Sequence, residues 1–244
     1  MRIAILDDDA TDLQRITQVL DGLARQYDEE TWTFHTFSLG EELLKQLKRE
    51  TFDLLILDWQ LPDISGIALL DWAHRHLDPP PPVIMVTSRN SEEDTVQALM
   101  AGADDYVNKP FRPFEFQARV RTVLRRYSWG KGLVENEQKV FGSIVFNDTE
   151  QKITHDGKIV HLTEREYSLA RCLFNNLNRP LSRGYLYERF WPHEEAFSSR
   201  PLDTHIYRLR SKLALTPEHG WRLATIYGYG YRLEQVEPRE VNEL

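Results

Sequence analysis

Residues 53–58 read Asp-Leu-Leu-Ile-Leu-Asp, a run of four apolar residues bounded by carboxylates. An unbroken apolar run of this length is typical of a strand that is buried on both faces of a parallel sheet. Similar stretches recur through the first half of the chain, and segments with apolar residues at helical spacing lie between them. This alternation predicts an α/β domain of five βα units, with strands at residues 3–6, 32–37, 54–57, 83–86 and 106–107.

The pattern changes in the second half of the chain. The apolar periodicity stops over residues 128–139, where glycines and charges predict an exposed linker. Beyond it we expect an α+β domain with a strand over 140–146, a hairpin that turns at Asp156-Gly157, three helices and a last hairpin over 221–233. The sequence therefore predicts domains at 1–127 and 140–237, joined by the linker 128–139 and followed by a polar tail at 238–244.

The net charge of -8 is distributed unevenly along the 244 residues. The first 127 residues hold 14 Lys and Arg against 22 Asp and Glu, whereas the remaining residues hold 16 of each. The acidity therefore belongs to the first domain, and it does not argue against nucleic-acid binding by the second.

Composition excludes several other classes. No apolar run approaches the roughly 20 residues of a membrane-spanning helix, and the N-terminus lacks a signal-peptide pattern. We therefore expect a cytoplasmic protein with no membrane insertion. Cys172 is the only cysteine, so an intrachain disulfide and a multi-cysteine zinc site are both excluded.

Reactive side chains follow the ends of successive predicted strands. Asp7 and Asp8 follow the first strand, Asp58 the third, Thr87 the fourth and Lys109 the fifth. Because the carboxyl ends of parallel strands meet at one edge of the sheet, we expect these groups to converge. Neighbouring carboxylates favour a hard divalent cation such as Mg²⁺. One carboxylate could then attack phosphorus, with the metal, the amine and the hydroxyl stabilising the transferred group.

Each of these residues alone has an ordinary structural interpretation. Acidic side chains near strand ends often cap the next helix, and Asp9 or Asp12 could do so here. Thr87 alone is typical of a helix cap, and Lys109 alone is typical of a solvated surface lysine. Their joint placement on successive strand ends favours the chemical site.

The motifs of the first half resemble the receiver domains of two-component response regulators. The resemblance rests on Ile-Leu-Asp-Asp-Asp at 5–9, the run at 53–58, Leu-Pro-Asp at 61–63, Ser-Gly at 65–66, Val-Thr-Ser at 86–88 and Gly-Ala-Asp-Asp-Tyr-Val-Asn-Lys-Pro-Phe at 102–111. It implies a flavodoxin-like doubly wound (βα)5 fold. It also implies that Asp58 is the phosphoacceptor and that a sensor histidine kinase supplies the phosphate.

The same resemblance implies roles for the surrounding residues. Asp8 and Asp58 would ligate Mg²⁺, with Asp7 acting through water and the Gln60 backbone carbonyl completing the site. Thr87 and Tyr106 would move together on phosphorylation, because the new charge draws the hydroxyl inward and vacates space for the ring. Without these motifs, Tyr106 would be interpreted as an ordinary half-buried strand tyrosine.

The resemblance further implies a homodimer of phosphorylated chains. Its contact surface would include Asp104, Asp105, Arg119 and Arg121. The sequence departs from the family at Thr95, where many members carry a basic residue that faces the equivalent of Glu115. Exposed ion pairs each contribute only about 0 to 1 kcal/mol, so this departure concerns the strength of the dimer.

Residues 200–215 are the most informative part of the second half. Leu202, Ile206, Leu209 and Leu213 are spaced to face a core, and the opposite face is polar and basic. A basic helix face is usually only a solvated surface. Here two helical segments precede it and a hairpin follows it, which favours nucleic-acid binding.

This half resembles the winged-helix effector domain of OmpR/PhoB-class response regulators. The resemblance rests on Leu-Thr at 162–163, Leu-Ser-Arg at 181–183, Leu-Asp-Thr-His-Ile at 202–206, Arg-Leu-Arg at 208–210 and Gly-Tyr-Gly-Tyr-Arg at 228–232. It implies a helix in the major groove, a hairpin tip in the minor groove, and double-stranded promoter DNA and RNA polymerase as partners. The expected DNA-binding residues are Asp203, Thr204, His205, Arg208, Arg210, Lys212, Thr225 and Tyr231.

Within that set we expect different contacts. Thr204 and Arg208 are assigned to bases, whereas His205, Arg210, Thr225 and Tyr231 are assigned to phosphates. Asp203 would orient a neighbouring arginine. Family members commonly carry arginine where this chain has Tyr207 and Tyr227. Each lost phosphate contact should flatten the salt dependence of binding by about one unit of slope.

Two alternative functions remain open from the sequence. A phosphoaspartyl hydrolase also uses a nucleophilic aspartate with Mg²⁺, but such enzymes place a second acid two residues after the nucleophile, where this chain has Gln60. A phosphorylation-independent DNA-binding or scaffolding protein would use the first domain only for dimerisation. The sequence favours a transcriptional regulator that is not primarily an enzyme and that binds tandem DNA sites after phosphorylation of Asp58.

Overall fold

The computed structural model describes residues 1–26, 31–127, 138–192 and 200–237. The chain divides into two units, Met1–Trp129 and Gly130–Leu244. Most of the predicted linker and the whole predicted tail lie outside the described residues. In the described part of the chain, no helix is long and apolar enough to cross a membrane.

The first unit alternates strands and helices as the sequence predicts. Its elements are β1 (Arg2–Leu6), α1 (Ala10–Ala24), β2 (Thr33–Phe37), α2 (Gly40–Leu47), β3 (Leu54–Leu57), α3 (Gly66–His76), β4 (Val83–Thr87), α4 (Glu92–Met100), β5 (Asp105–Asn108) and α5 (Pro113–Tyr127). The five strands form one parallel sheet in the order β2-β1-β3-β4-β5. The predicted flavodoxin-like (βα)5 fold is confirmed.

Hydrophobic cores cover both faces of this sheet. Side chains of α1 and α5 pack on one face, where Ile16, Leu20, Phe116 and Val120 are buried. Side chains of α2, α3 and α4 pack on the other face, against Leu55 and Leu57 among others. This burial explains why residues 3–6 of β1, all of β3 and residues 83–86 of β4 are unbroken apolar runs. The polar side chains Asp7, Asp58 and Thr87 lie at the edge of the sheet where these strands end.

The second unit combines two small antiparallel sheets with helices. Its elements are β6 (Gln138–Phe141), β7 (Ile144–Asn147), β8 (Lys152–His155), β9 (Lys158–Val160), α6 (Glu164–Phe174), β10 (Leu181–Ser182), α7 (Arg183–Phe190), α8 (Arg200–Lys212), β11 (Trp221–Ile226) and β12 (Gly230–Gln235). The sheets have the orders β6-β7-β8-β9 and β10-β12-β11. This arrangement confirms the predicted α+β winged-helix architecture.

The single strand predicted over 140–146 is wrong. The structure divides this stretch into β6 and β7, which pair in an antiparallel hairpin. Gly142 sits in the turn with φ +56°, a left-handed conformation that glycine adopts without steric cost. The predicted turn at Asp156-Gly157 is confirmed, since both residues have positive φ between β8 and β9. Cys172 is buried on α6 among apolar side chains.

Candidate phosphoacceptor site and nucleic-acid interface

Three carboxylates converge at the edge of the parallel sheet. Asp7 and Asp8 follow β1, Asp58 follows β3, and one oxygen from each lies within 4.8 Å of the others. Asp7 and Asp58 are buried, whereas Asp8 is exposed. Three carboxylate oxygens at this separation are a donor set that fits a hard divalent cation such as Mg²⁺. The structure thus brings together the acidic residues that the sequence singled out.

Backbone groups hold the buried carboxylates in place. The amide of Asp9 donates to Oδ1 of Asp7 at 3.1 Å, and the amide of Gln60 donates to Oδ1 of Asp58 at 3.2 Å. Asp9 also caps α1, because its side chain accepts from the amide of Thr11 at 2.7 Å. The choice of cap between Asp9 and Asp12 is thereby decided for Asp9. The Gln60 carbonyl as a metal ligand stays a prediction.

Lys109 neutralises part of this negative charge. Its Nζ lies 2.6 Å from Asp7, 2.7 Å from Asp58 and 2.9 Å from Asp12. Burial opposes the charged ammonium, but hydrogen bonds to Asp58, Asp7 and Asp12 outweigh burial and raise the pKa of Lys109. The lysine is therefore a permanent cation directed at the carboxylate of Asp58.

Asp7 has an unusual protonation equilibrium for an aspartate. Burial raises its pKa to about 6, although hydrogen bonds from Lys109 and the Asp9 amide act in the opposite direction. Desolvation disfavours the charged carboxylate, and the neighbouring Asp58 adds repulsion. A bound divalent cation would favour the ionised form of the same group.

Gly66 allows the loop after Asp58 to close. A Cβ atom at this position would lie 1.9 Å from the backbone oxygen of Asp58. The amide of Gly66 also donates to the Trp59 carbonyl at 3.0 Å. Only glycine fits this approach of α3 to the end of β3, so Gly66 fixes the position of the candidate phosphoacceptor.

Thr87 and Tyr106 lie on neighbouring strands β4 and β5. Thr87 is fully buried, and its Oγ1 lies 3.5 Å from the amide of Arg89, which donates to it. The Tyr106 ring is 8% exposed, and its hydroxyl donates to the Arg89 carbonyl at 2.7 Å. Burial raises the pKa of Tyr106. Both residues therefore contact the same residue of the β4–α4 loop.

Arg89 and Trp59 complete this region, although the sequence analysis did not single them out. The Arg89 guanidinium lies 4.8 Å from the centre of the Trp59 ring and 2.5 Å from Asp94. Trp59 directly follows Asp58 in the chain. The order of Asp58-Trp59 and Thr87-Ser88-Arg89 on adjacent strands was a signal that could have identified this contact.

The predicted dimer residues do not all lie together. Arg119 contacts Asp105 at 3.1 Å and Glu115 at 2.9 Å within the same chain. Arg121 instead donates to Gln26, beyond the end of α1, at 2.6 Å. Asp104 accepts a hydrogen bond from the Val83 amide at 2.8 Å. The structure therefore directs Arg121 toward α1 and Arg119 toward Asp105.

The polar face of α8 is exposed in the second unit. Thr204 and Arg208 are exposed, and no described residue forms an ion pair with Arg208. His205 is half-buried, and its Nδ1 donates to the Pro201 carbonyl at 2.7 Å. The centres of the His205 and Trp191 rings lie 5.3 Å apart in a T-shaped arrangement. Thr204 and Arg208 are thus the two predicted base contacts that point outward.

Asp203 contacts an arginine within the same unit. The Arg183 guanidinium lies 2.7 Å from Asp203 and 3.1 Å from the hydroxyl of Tyr231, which itself donates to Asp203. Burial opposes ionisation, but hydrogen bonds from Tyr231 and Arg183 lower the pKa of Asp203. Arg183, to which the sequence analysis gave no role, therefore connects α7, α8 and β12.

Two cations that the sequence assigns to DNA binding also have partners inside the protein. Arg210 donates to the Leu223 carbonyl at 2.7 Å and to Thr225 Oγ1 at 2.9 Å. Lys212 lies 2.7 Å from Glu166, whose side chain is buried in the capping box of α6. Direct DNA contacts by Arg210, Lys212, Thr225 and Tyr231 stay predictions.

Family models match both units of the chain. The model described as "Response regulator receiver domain" matches residues 3–121, and the model described as "Transcriptional regulatory protein, C terminal" matches residues 157–233. These two matches cover the acidic site and the exposed face of α8, respectively.

Curated relatives extend over most of the chain. The Sensory transduction protein RegX3 of Mycobacterium leprae is 35% identical over 80% of this chain and 98% of its own length. The Regulatory protein VanR of Enterococcus faecium is 31% identical over 96% of this chain and 99% of its own length. Among solved structures, the response regulator DrrB, a Thermotoga maritima OmpR/PhoB homolog, is 31% identical over 96% of this chain and 98% of that chain, with a TM-score of 0.45. The sequence matches across both units show that the chain belongs to the OmpR/PhoB-type response regulators of two-component systems, in which a receiver domain controls a DNA-binding domain.

Proposed function

We propose that Asp58 accepts a phosphoryl group from a sensor histidine kinase and that the phosphorylated chain pairs with a second copy on tandem promoter sites. The observation that carries this proposal is the position of the Asp58 carboxylate, 2.7 Å from Lys109 and within 4.8 Å of the Asp7 and Asp8 oxygens. In this proposal the protein works in the cytoplasm, where the kinase and the chromosome are both accessible.

The chemical step is phosphoryl transfer between two protein side chains. An Asp58 oxygen attacks phosphorus, a P–O bond forms, and the P–N bond of the phosphohistidine breaks in line. The departing imidazole nitrogen keeps the electron pair and takes a proton from solvent. Lys109 lies where its ammonium can stabilise charge on the transferred oxygens, and Thr87 can donate a hydrogen bond.

Asp7, Asp8 and Asp58, with the Gln60 carbonyl, are the groups that would hold Mg²⁺. When bound, the cation supplies positive charge that offsets the repulsion between the carboxylates and the incoming phosphoryl oxygens. Lys109 contributes a second positive charge beside Asp7 and Asp58, and this charge does not depend on the metal.

Thr87, Arg89 and Tyr106 would carry the change to the dimer surface. The phosphoryl group of an aspartyl phosphate carries about -1.5 to -2 charges and strong hydrogen-bond acceptors. Movement of the β4 hydroxyl toward it alters the Arg89 loop, which the Tyr106 hydroxyl contacts. The ring of Tyr106 would then change its position next to Asp105 and Arg119.

Pairing of receivers would raise the effective concentration of the second DNA-binding domain. Asp104, Asp105 and Arg119 are the residues we assign to this contact first, with Arg121 at its margin. Two α8 helices would then bind successive major grooves through Thr204 and Arg208, and RNA polymerase would be recruited at the same promoter. The gain depends on whether the linker spans the two bound sites.

Intact-protein mass spectrometry tests the proposal and separates it from both rivals. The full-length chain with Mg²⁺ and a phosphodonor should gain one phosphoryl group that alkali and hydroxylamine remove, and Asp58→Asn should gain none. Multiple turnover of a phosphorylated substrate would support a hydrolase instead. Promoter output that Asp58→Asn leaves unchanged under an activating signal would support a phosphorylation-independent regulator.

A further inference from the structure

The tip of the β11–β12 hairpin carries an unusually exposed aromatic side chain. Tyr227 is 101% exposed, more than any other large apolar side chain in the described part of the chain. The next residue, Gly228, has φ +70°, and a Cβ there would meet nothing within 4 Å. Only residues 227–229 connect β11 to β12, so the tip is narrow, and the Tyr227 side chain projects from it into solvent. A ring exposed in this way loses its apolar hydration when a partner covers it.

The tip also lacks the cations with which proteins usually bind phosphate. Residues 226–229 are uncharged. The two arginines of the hairpin, Arg222 and Arg232, both pair with Glu234 at 2.5 Å, away from the tip. Burial disfavours the charged carboxylate, but the two arginines outweigh burial and lower the pKa of Glu234. The hairpin therefore offers a neutral hydroxyl and a ring rather than positive charge.

The hairpin is tied to α8 by a specific contact. Arg210 of α8 donates two hydrogen bonds to the Leu223 carbonyl of β11, at 3.0 and 2.7 Å, and one to Thr225. When α8 binds in a DNA groove, this contact therefore also fixes the position of the hairpin tip relative to the DNA. A helix fits the major groove, which is about 12 Å wide, whereas the neighbouring minor groove is about 6 Å wide and admits only a narrow element.

We propose that Tyr227 is a specificity-determining residue that selects an A·T pair in the minor groove next to the α8 site, through its ring and hydroxyl rather than through charge. This inference rests on the proposed DNA-binding function. The phenolic O–H donates to adenine N3 or thymine O2 on the groove floor. The 2-amino group of guanine rises from the same floor and keeps the ring away from it.

Modified bases test this contact without changing the major groove. DNA selected by the phosphorylated full-length chain is prepared with 2,6-diaminopurine in place of adenine at the positions below the hairpin, which adds only the minor-groove amino group. The wild-type chain should lose about two- to tenfold in affinity, the range expected for one hydrogen bond. Tyr227→Phe should lose a similar factor on natural DNA and respond less to the added amino group. The matched control, Tyr207→Phe on α8, should respond as the wild type does.

The outcomes separate this inference from the function on which it depends. Equal or tighter wild-type binding to the diaminopurine DNA would overturn the role of Tyr227 and leave specific DNA binding intact. Unchanged discrimination in Tyr227→Phe would do the same. A wild-type chain that selects no DNA sequence would overturn the proposed function, and the role of Tyr227 with it.

Discussion

Lys109 and Asp58 form a 2.7 Å ion pair that joins the end of β5 to the end of β3, and the same ammonium lies 2.6 Å from Asp7. All three side chains are at most 9% exposed. The lysine is thus the internal counter-charge of the acidic site. Without a positive charge of this kind, the buried carboxylates would repel each other and could not hold this arrangement before phosphorylation.

Lys109→Met should make the receiver depend on Mg²⁺ for its stability. Removing one partner of a buried ion pair costs about 3 to 5 kcal/mol, because the remaining carboxylates repel each other without compensation. Thermal unfolding near pH 8 should show a lower Tm with a chelator, and added Mg²⁺ should raise the Tm of the variant more than that of the wild type. Lys45→Met, at an exposed position of α2, is the control. Equal responses to Mg²⁺ in all three proteins would contradict the proposed site.

Gly66→Ala should disturb the loop that carries Asp58. The added methyl group would lie 1.9 Å from the Asp58 carbonyl oxygen, so α3 or β3 must move. Overpacking of this kind costs about 1 to 3 kcal/mol or more, and denaturant unfolding measures it. Gly22→Ala within α1 is the matched control, because its Cβ meets only the Gln117 side chain, at 3.4 Å. That control should be neutral or stabilising by up to about 1 kcal/mol, and a stable Gly66→Ala receiver would contradict the geometry.

The architecture of the receiver was predictable because its signals are local. The strands β1, β3 and β4 each contain an unbroken apolar run, and Asp7, Asp58 and Thr87 directly follow these runs. Parallel pairing then brings the strand ends to one edge without further information. The turn at Gly142 was missed because only Gly142 and Ser143 interrupt residues 140–146, whose other residues are all apolar and strand-forming.

The DNA-binding surface was less predictable because its side chains are committed to distant partners. Lys212 contacts Glu166, 46 residues away, and Tyr231 contacts Asp203, 28 residues away. Helical periodicity places a residue on a face, but it does not show whether another element has already engaged its charge. Arg208 and Lys212 are both exposed on α8, but Lys212 pairs with Glu166 at 2.7 Å, a difference that the sequence alone does not show.

Arg119→Ala should weaken phosphorylation-induced dimerisation more than Arg121→Ala. Arg119 lies with Asp105 and Glu115, whereas Arg121 is directed toward Gln26 near α1. Exposed ion pairs contribute about 0 to 1 kcal/mol each, so the expected change in dimer Kd for Arg119→Ala is about two- to fivefold. Sedimentation equilibrium of the phosphorylated chains measures both variants. A larger effect from Arg121→Ala would place the contact surface on the α1 side.

The Glu166–Lys212 contact should make the second unit sensitive to acid. Burial disfavours the Glu166 carboxylate, but Lys212 and the Thr163 amide outweigh burial, so its pKa lies below the ordinary value of 4.5. A lowered acid pKa contributes stability above about pH 4.5, and this contribution is lost as the pH falls through the folded-state pKa. The protection factors of the α6 and α8 amides, which correct for the intrinsic slowing of exchange at low pH, should therefore fall on acidification in the wild type, and less steeply in Glu166→Gln.

The lysine partner gives an independent test of that contact. Lys212→Met leaves a buried carboxylate with fewer donors and should cost about 1 to 3 kcal/mol near neutral pH. Lys158→Met on β9 is the control, since this lysine is exposed. If Lys212→Met instead leaves amide protection unchanged and abolishes DNA binding, Lys212 serves the DNA rather than the fold.

Tyr207→Arg should steepen the salt dependence of DNA binding. Tyr207 is 72% exposed on α8, where a neutral side chain releases no counterion from the phosphate backbone. An arginine that reaches a phosphate should change the slope of log K against log salt by about one unit, and fluorescence anisotropy over a salt series measures it. Tyr207→Phe should keep the wild-type slope because it changes no charge. An unchanged slope in Tyr207→Arg would mean that this position faces away from the phosphates, and the orientation of α8 in the groove would have to be rotated accordingly.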